Sequence, residues 1–82
     1  MKFQAEVTVS LKEGVLDPQG KTIGNALKDL GFDSVIKVKT GRIFVLDIEA
    51  ETEADASRVA TEAASKLLAN PVIEKYNVEV LI

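Results

Sequence analysis

The chain has 82 residues, a formal net charge of −3 and a sequence pI near 4.9. This length suits a single domain over residues 1–82, and the acidic balance argues against a nucleic-acid partner, which usually requires a basic surface. The chain contains neither Cys nor His, which removes thiol nucleophiles, disulfides, Cys/His zinc sites and imidazole chemistry. No apolar run approaches the roughly 20 residues that span a bilayer. We therefore expect a cytoplasmic protein with no membrane partner and no cofactor, metal or catalytic residue of its own.

The first element is a strand over residues 2–11. Polar and apolar residues alternate there, with one face formed by Phe3, Ala5, Val7, Val9 and Leu11. Alternation with a period of two predicts a strand that is buried on one side and exposed on the other.

A helix follows, over roughly residues 18–30. Asp17-Pro18 is a strong start signal, because Asp caps helix N-termini well and Pro at the first helical position gives up an N–H that has no partner. The apolar residues recur at helical spacing: Ile23, Ala26, Leu27 and Leu30. Gly31 stands where a left-handed C-cap residue belongs. We expect the apolar stripe to pack on the flanking strands.

Residues 34–40 and 42–50 have the composition of two strands, and Thr40-Gly41 between them predicts a hairpin turn. In the second run, one face is placed against the helices: Phe44, Leu46, Ile48 and Ala50. Ile43 and Val45 then lie on the opposite face. Two apolar residues on an otherwise exposed face indicate an interaction surface.

A second helix begins after Thr52, a capping residue, with Asp55 at the position of a capping-box acid. Asn70-Pro71 ends it, Asn being a common left-handed cap. A last alternating strand covers residues 76–82. The order β-α-β-β-α-β predicts an α+β fold, the ferredoxin-like two-layer sandwich, with an antiparallel four-stranded sheet and both helices on one face.

Two clusters of charge permit a functional or a purely structural interpretation. Glu13 and Asp17 lie in the loop before the first helix, where a helix cap and solvated charges explain them better than acid–base catalysis. Lys37, Lys39 and Arg42 form a basic cluster that can meet a phosphate or an acidic partner, although alternating Lys is more often an exposed or edge-protecting face. From the residues alone, two function classes survive: an assembly subunit, and a small-molecule-sensing regulatory domain of the same fold.

Three segments carry a resemblance that covers essentially the whole chain. They are the run LKEGVLDPQGK over residues 11–21, a helix that ends in Leu-Gly-Phe, and LLANPVIEKY over residues 67–76. With these segments in this order, the chain resembles the PurS family, the small subunit of phosphoribosylformylglycinamidine synthase. The most specific part is Val15-Leu16-Asp17-Pro18-Gln19-Gly20-Lys21.

The resemblance implies a non-catalytic assembly subunit of a purine-biosynthetic ligase complex. Such a subunit joins a PurL-like synthetase, which holds the ATP and Mg sites, to a PurQ-like glutaminase, which holds the catalytic cysteine. The complex transfers ammonia from glutamine to formylglycinamide ribonucleotide. The family motif, residues 14–21, and the two residues before it become the candidate partner interface: Lys12, Glu13, Gly14, Val15, Leu16, Asp17, Pro18, Gln19, Gly20 and Lys21.

We further predict that the isolated chain is a homodimer or homotetramer. A domain this small buries only about 60–65% of its unfolded surface, so association is a plausible source of stability. Ile43, Val45 and Leu81 are the candidate oligomer interface, because they place apolar groups on the sheet face that carries no helix.

Overall fold

The computed structural model describes residues 1–81, so Ile82, the predicted last residue of the final strand, lies outside the described residues. Its elements, in chain order, are β1 (Lys2–Leu11), α1 (Pro18–Asp29), β2 (Gly41–Glu49), α2 (Glu53–Ala63) with a π-helical continuation (Ala64–Leu68), and β3 (Glu74–Leu81). Strands and helices therefore mix in an α+β fold.

The three strands form one antiparallel sheet in the order β2-β1-β3. Val7 in the central strand lies opposite Phe44 on one side and Val78 on the other. The alternation predicted for the first strand is confirmed, since Phe3, Ala5, Val7 and Val9 are all buried. These side chains form the sheet face that carries the core.

Helix α2 packs against all three strands through small residues four apart, Ala56, Ala60 and Ala64, each fully buried. Small side chains let the helix lie close to the sheet. Thr52 caps the helix as predicted, accepting a hydrogen bond from the Asp55 N–H at 3.1 Å. Leu67 stands at helical spacing from Ala64 but is exposed, because it falls in the π-helical turn, whose wider winding changes the helical phase.

Helix α1 has the predicted bounds and caps but not the predicted packing. Gly31 has φ +93° and, with Phe32, closes the helix end through N–H bonds to the carbonyls of Lys28 and Leu27. The expectation that both helices cover one sheet face is nevertheless wrong, because α1 has no contact with a described strand comparable to that of α2. Leu30 in its apolar stripe is 73% exposed.

The predicted strand over residues 34–40 and its hairpin are also wrong, and the sheet of the described chain has three strands instead of four. The segment pairs with no strand of residues 1–81. The physical reason is a competing set of contacts: Thr40 is bonded to Asp17, and Val38 lies against α1. These contacts hold the segment beside the helix and away from the edge of β2.

The consequence is an elongated molecule with two parts. The body consists of the sheet and α2; the arm consists of residues 15–40, that is, the turn before α1, α1 itself and the segment after it. The radius of gyration is 16.1 Å and the principal extents are 51 × 26 × 13 Å. A compact domain of this length has a radius of gyration of about 12 Å. The arm therefore projects from the body.

Candidate functional site

The base of the arm is a tight turn that follows β1. Lys12 extends the strand pairing by donating its N–H to the Ile73 carbonyl at 2.8 Å, and the Val15 N–H returns to the Lys12 carbonyl at 3.2 Å. Gly14, between them, has φ +82°, a conformation that glycine adopts without strain. The turn thus redirects the chain from the sheet into the arm.

Asp17 ties the two ends of the arm together. Its carboxylate accepts the Gly20 N–H at 2.8 Å, as a helix N-cap, and the Thr40 N–H at 2.7 Å. The Thr40 hydroxyl adds contacts of 2.9 and 3.0 Å to the two carboxylate oxygens. The backbone N–H groups of Thr40 and Gly20 lower the pKa of the Asp17 carboxyl from its ordinary value. Asp17 is therefore an ionised group that both caps α1 and anchors the returning segment.

Two glycines let the returning segment lie against α1. A Cβ placed on Gly20 would overlap the Val38 carbonyl oxygen, whereas one placed on Gly24 would lie 3.7 Å from a Val38 methyl group, an ordinary contact. The neighbour of Gly24 is therefore this segment and not the sheet. Gly20 is thus required for close approach of the backbone, and Gly24 is not.

A cleft of about 520 Å³ lies between the turn, the glycine face of α1, the segment 35–40 and Lys75 of β3. Most of the predicted partner-interface residues line it: Lys12, Glu13, Gly14, Val15, Leu16, Asp17, Gly20 and Lys21. Pro18 and Gln19, the other two, are exposed at the start of α1 but are not part of the cleft wall. The family motif therefore forms one wall of a concave surface.

The opposite wall, residues 35–40 and Lys75, is not in the predicted site. Two features of the sequence indicate this second wall. Gly20 and Gly24 are four residues apart, which places them on one helix face and allows another backbone to approach closely. Lys37 and Lys39 alternate, which places both on one side of an extended segment. The bond between Asp17 and Thr40 has no sequence signal, since it joins residues 23 positions apart.

The residues of the predicted basic cluster, Lys37, Lys39 and Arg42, do not lie together in the structure. Lys39 Nζ lies 2.7 Å from a Glu13 carboxylate oxygen, and Lys37 also faces the cleft. Arg42 does not: it pairs with Glu74 at 3.0 Å and lies 5.5 Å from the centre of the Phe44 ring. The hydrogen bond from the Asn70 N–H, followed by the contact with Arg42, lowers the pKa of Glu74 from its ordinary value. Arg42 therefore contributes to the end of the sheet, and the two lysines contribute to the cleft.

The candidate oligomer residues share the sheet face opposite α2 but do not form one patch. Ile43 and Val45 in β2 are 63% and 54% exposed. Leu81 is half-buried on the opposite edge strand, where it pairs with Gln4, while Val45 pairs with Glu6. Polar residues of β1 separate Leu81 from the other two. Ile43 and Val45 are neighbours on one strand face, so they alone form a local apolar surface.

Within residues 1–81, no group of three or more His, Cys, Asp or Glu side chains is arranged to hold a metal ion. In the same part of the chain, no helix has the length and apolar character needed to cross a membrane.

Known proteins resemble this chain over nearly its full length. The model of the PurS family, described as phosphoribosylformylglycinamidine (FGAM) synthase, matches residues 4–81. A relative from Archaeoglobus fulgidus, phosphoribosylformylglycinamidine synthase subunit PurS, is 50% identical over 74 residues. The match covers 90% of this chain and 92% of the relative. The chain therefore matches this family and this relative in sequence over nearly its full length.

Solved structures agree with the fold. PurS from Methanocaldococcus jannaschii, one of the subunits of formylglycinamide ribonucleotide amidotransferase, superposes with a TM-score of 0.86 at 42% identity, covering 96% of this chain and 95% of that one. A chain in the structure of PurLQS from Thermotoga maritima superposes with a TM-score of 0.91 at 33% identity, covering 99% of each chain. On the family match and these identities, the chain belongs to the PurS family.

Proposed function

We propose that this chain is the PurS subunit of a phosphoribosylformylglycinamidine synthase, and that residues 1–82 act as one PurS-like domain. The observation that carries the proposal is the superposition on a chain of the Thermotoga maritima PurLQS structure over 99% of both chains. Fold alone does not fix function, but here the family sequence agrees as well. The alternative of a small-molecule-sensing domain is not favoured, because the relatives carry the name of a synthase subunit.

In this proposal the chain bridges a PurL-like synthetase and a PurQ-like glutaminase. The synthetase supplies the ATP and Mg sites, the glutaminase supplies ammonia from glutamine, and this chain supplies contacts. The cytoplasm is the location predicted from the sequence. Residues 12–21 are the proposed partner surface: they combine exposed charged groups with a turn whose shape is fixed by Gly14 and Asp17. A surface that is rigid and chemically varied suits recognition by another subunit.

The test is reconstitution of the synthase from separately purified subunits, with and without this chain. The reaction is run with glutamine and, in parallel, with an ammonium salt as the nitrogen source. We expect omission of the chain to abolish the glutamine-dependent rate and to leave the ammonium-dependent rate of the synthetase largely intact. Equal rates on glutamine without this chain would refute the assembly role.

Single alanine variants then locate the surface. Lys12, Glu13 and Lys21 are exposed, so replacing each with Ala should change folding stability by no more than about 0.5 kcal/mol. Lys66→Ala, on the π-helical turn and outside the cleft, is the matched control. A glutamine-dependent rate that falls for the three variants but not for the control reports on the interface. Equal effects at all four positions would remove residues 12–21 as the partner surface.

We also propose that copies of the chain associate through surfaces that the protomer leaves exposed. Ile43 and Val45 on the open sheet face, together with the exposed apolar stripe of α1, are suited to contact with a second copy. Sedimentation at micromolar concentration should give at least the dimer mass. A monomer mass at that concentration contradicts this part of the proposal.

A further inference from the structure

The cleft concentrates positive charge in a protein that is acidic overall. Its lining includes Lys12, Lys21, Lys28, Lys37, Lys39 and Lys75, and only Lys2 and Lys66 lie elsewhere. These six side chains come from four separate stretches of the chain: the turn after β1, helix α1, the segment 35–40 and β3. A chain of net charge −3 thus has one concave surface of the opposite sign.

The carboxylates in the cleft do not neutralise this charge. Glu13 pairs with Lys39 at 2.7 Å, and Asp17 is occupied by the backbone N–H groups of Gly20 and Thr40. Lys12 is held by the Pro71 carbonyl at 2.6 Å. The remaining cleft lysines have no ion pair with a residue of the described chain: Lys21, Lys28, Lys37 and Lys75. Lys39 lowers the pKa of Glu13, and the charges of Lys37 and Lys75 lower it further. The positive potential of these two lysines therefore reaches the wall of the cleft.

The spacing of the lysines favours an extended ligand. Lys21 and Lys28 are seven residues apart on α1, which separates their backbone positions by about 10 Å along the helix axis. Lys37 and Lys39 are two residues apart on the facing segment, so their backbone positions are at most about 7 Å apart. The four cleft lysines without an ion pair carry more positive charge than one phosphate group balances, whereas several acidic side chains along an extended peptide balance it. Lysines on flexible stems also suit distributed charge better than bidentate recognition of one anion.

We propose that this cleft binds an extended acidic segment of a partner subunit, held chiefly by Lys21, Lys28 and Lys37. The inference rests on the proposed function, which places residues 12–21 against another subunit, and adds the chemistry of the bound segment. Lys21 and Lys28 lie on one side of the glycine face of α1, whereas Ile23 and Leu30 of the apolar stripe lie on the other, since at 100° per residue they project on opposite sides of Gly24. An acidic segment in the cleft and a second copy on the stripe can therefore bind at the same time.

The test compares two double charge reversals that change the net charge equally. Lys21→Glu with Lys37→Glu alters the cleft, and Lys2→Glu with Lys66→Glu alters exposed lysines outside it. Each chain is titrated against the purified synthetase and glutaminase subunits at low and at moderate salt. We expect the cleft variant to bind about tenfold more weakly than the natural chain at low salt, and to lose most of its salt dependence. The control should stay within about twofold.

The outcomes separate this inference from the proposed function. If the cleft variant keeps a native circular dichroism spectrum and binds as well as the control, the acidic-segment inference is overturned. A continued requirement for the chain in the glutamine-dependent reaction would then leave the proposed function standing. If the natural chain binds neither subunit, both are overturned.

A second measurement does not depend on the folding of a variant. The natural chain, labelled with ¹⁵N, is titrated with hexaglutamate and, separately, with ATP. Saturable shifts of the amides of residues 12–21 and 35–40 with hexaglutamate, and none with ATP, support an acidic segment. Binding of ATP without binding of hexaglutamate overturns the inference in favour of a small anion, and no shifts with either probe count against an anion site.

Discussion

The body and the arm each contain one helix with a well-formed N-cap, yet only the helix of the body packs against the sheet. Thr52 caps α2 and Asp17 caps α1, at 3.1 Å and 2.8 Å to the capped N–H groups. Helix α2 presents Ala56, Ala60 and Ala64 to the sheet, and all three are fully buried. Helix α1 keeps Leu30 largely exposed and faces the segment 35–40 with its glycines. Local helix signals therefore do not determine which helix joins the core.

The body and the arm are also stabilised by different kinds of interaction. The body is held by apolar burial, because Ala5 and Val7 of the central strand are completely excluded from water. The base of the arm is held by hydrogen bonds to one carboxylate, that of Asp17. We infer that the body supplies the folding stability of the protomer, and that the arm supplies surfaces for other chains.

The largest effect on stability is expected from a substitution in the core of the body, compared with one in the arm. Val7→Ala removes two buried methyl groups and should lower the free energy of unfolding by about 2 to 3 kcal/mol. Leu30→Ala removes more carbon atoms from the arm but should cost less than about 0.5 kcal/mol in the isolated protomer, because its side chain is already exposed. Urea unfolding at matched protein concentrations measures both.

Equal costs for these two variants would mean that the arm packs into the core of its own protomer. A Leu30→Ala cost that appears only as the protein concentration rises would instead place the contact of Leu30 in a second copy of the chain.

A smaller effect is expected from the two glycines of α1. Gly20→Ala places a methyl group on the Val38 carbonyl oxygen and should destabilise the arm by about 1 to 3 kcal/mol. Gly24→Ala has room for its methyl group and should stabilise the helix by up to about 1 kcal/mol, since Ala is the better helix former. Hydrogen exchange of the arm amides, compared with that of β1, shows whether each effect is confined to the arm. Destabilisation of the same size in both variants would contradict the close approach of Val38 at Gly20.

The smallest effect is the pH dependence of Asp17. Because hydrogen bonds lower the pKa of its carboxyl in the folded state, the unfolded chain takes up the proton first as the pH falls. The stabilisation is complete above the ordinary carboxyl value, near pH 4, and is lost as the pH falls through the folded value. The amide signal of Thr40, which donates to Asp17, should therefore titrate with a midpoint below about 3.9.

Asp17→Asn should remove that titration of the Thr40 amide. Asp33→Asn, an exposed change elsewhere in the arm, should not affect it. A Thr40 midpoint at or above the ordinary carboxyl value would show that the bond to Asp17 does not favour the ionised form.

The pattern of residues predicted the elements with strong local signals. The burial of β1, the cap and first residue of α1, the left-handed Gly31 and the Thr52 cap are all confirmed. The prediction for Asn70 as a left-handed cap is wrong, since no described residue other than glycine has a positive φ. Asn70 instead accepts the Val72 N–H at 3.0 Å and turns the chain towards β3.

Family membership and the position of the proposed partner surface follow from the sequence by itself, because the motif of residues 15–21 specifies both a turn and a relationship to known proteins. The composition of residues 34–40 also favours a strand, but no strand forms there. Only the tertiary structure decides where that segment lies. A strand requires the edge of another strand as its partner. The bond from Thr40 to Asp17 and the contact of Val38 with Gly20 hold the segment beside α1 instead. Those two long-range contacts create the cleft and gather its lysines, and no local pattern encodes contacts between residues so distant along the chain.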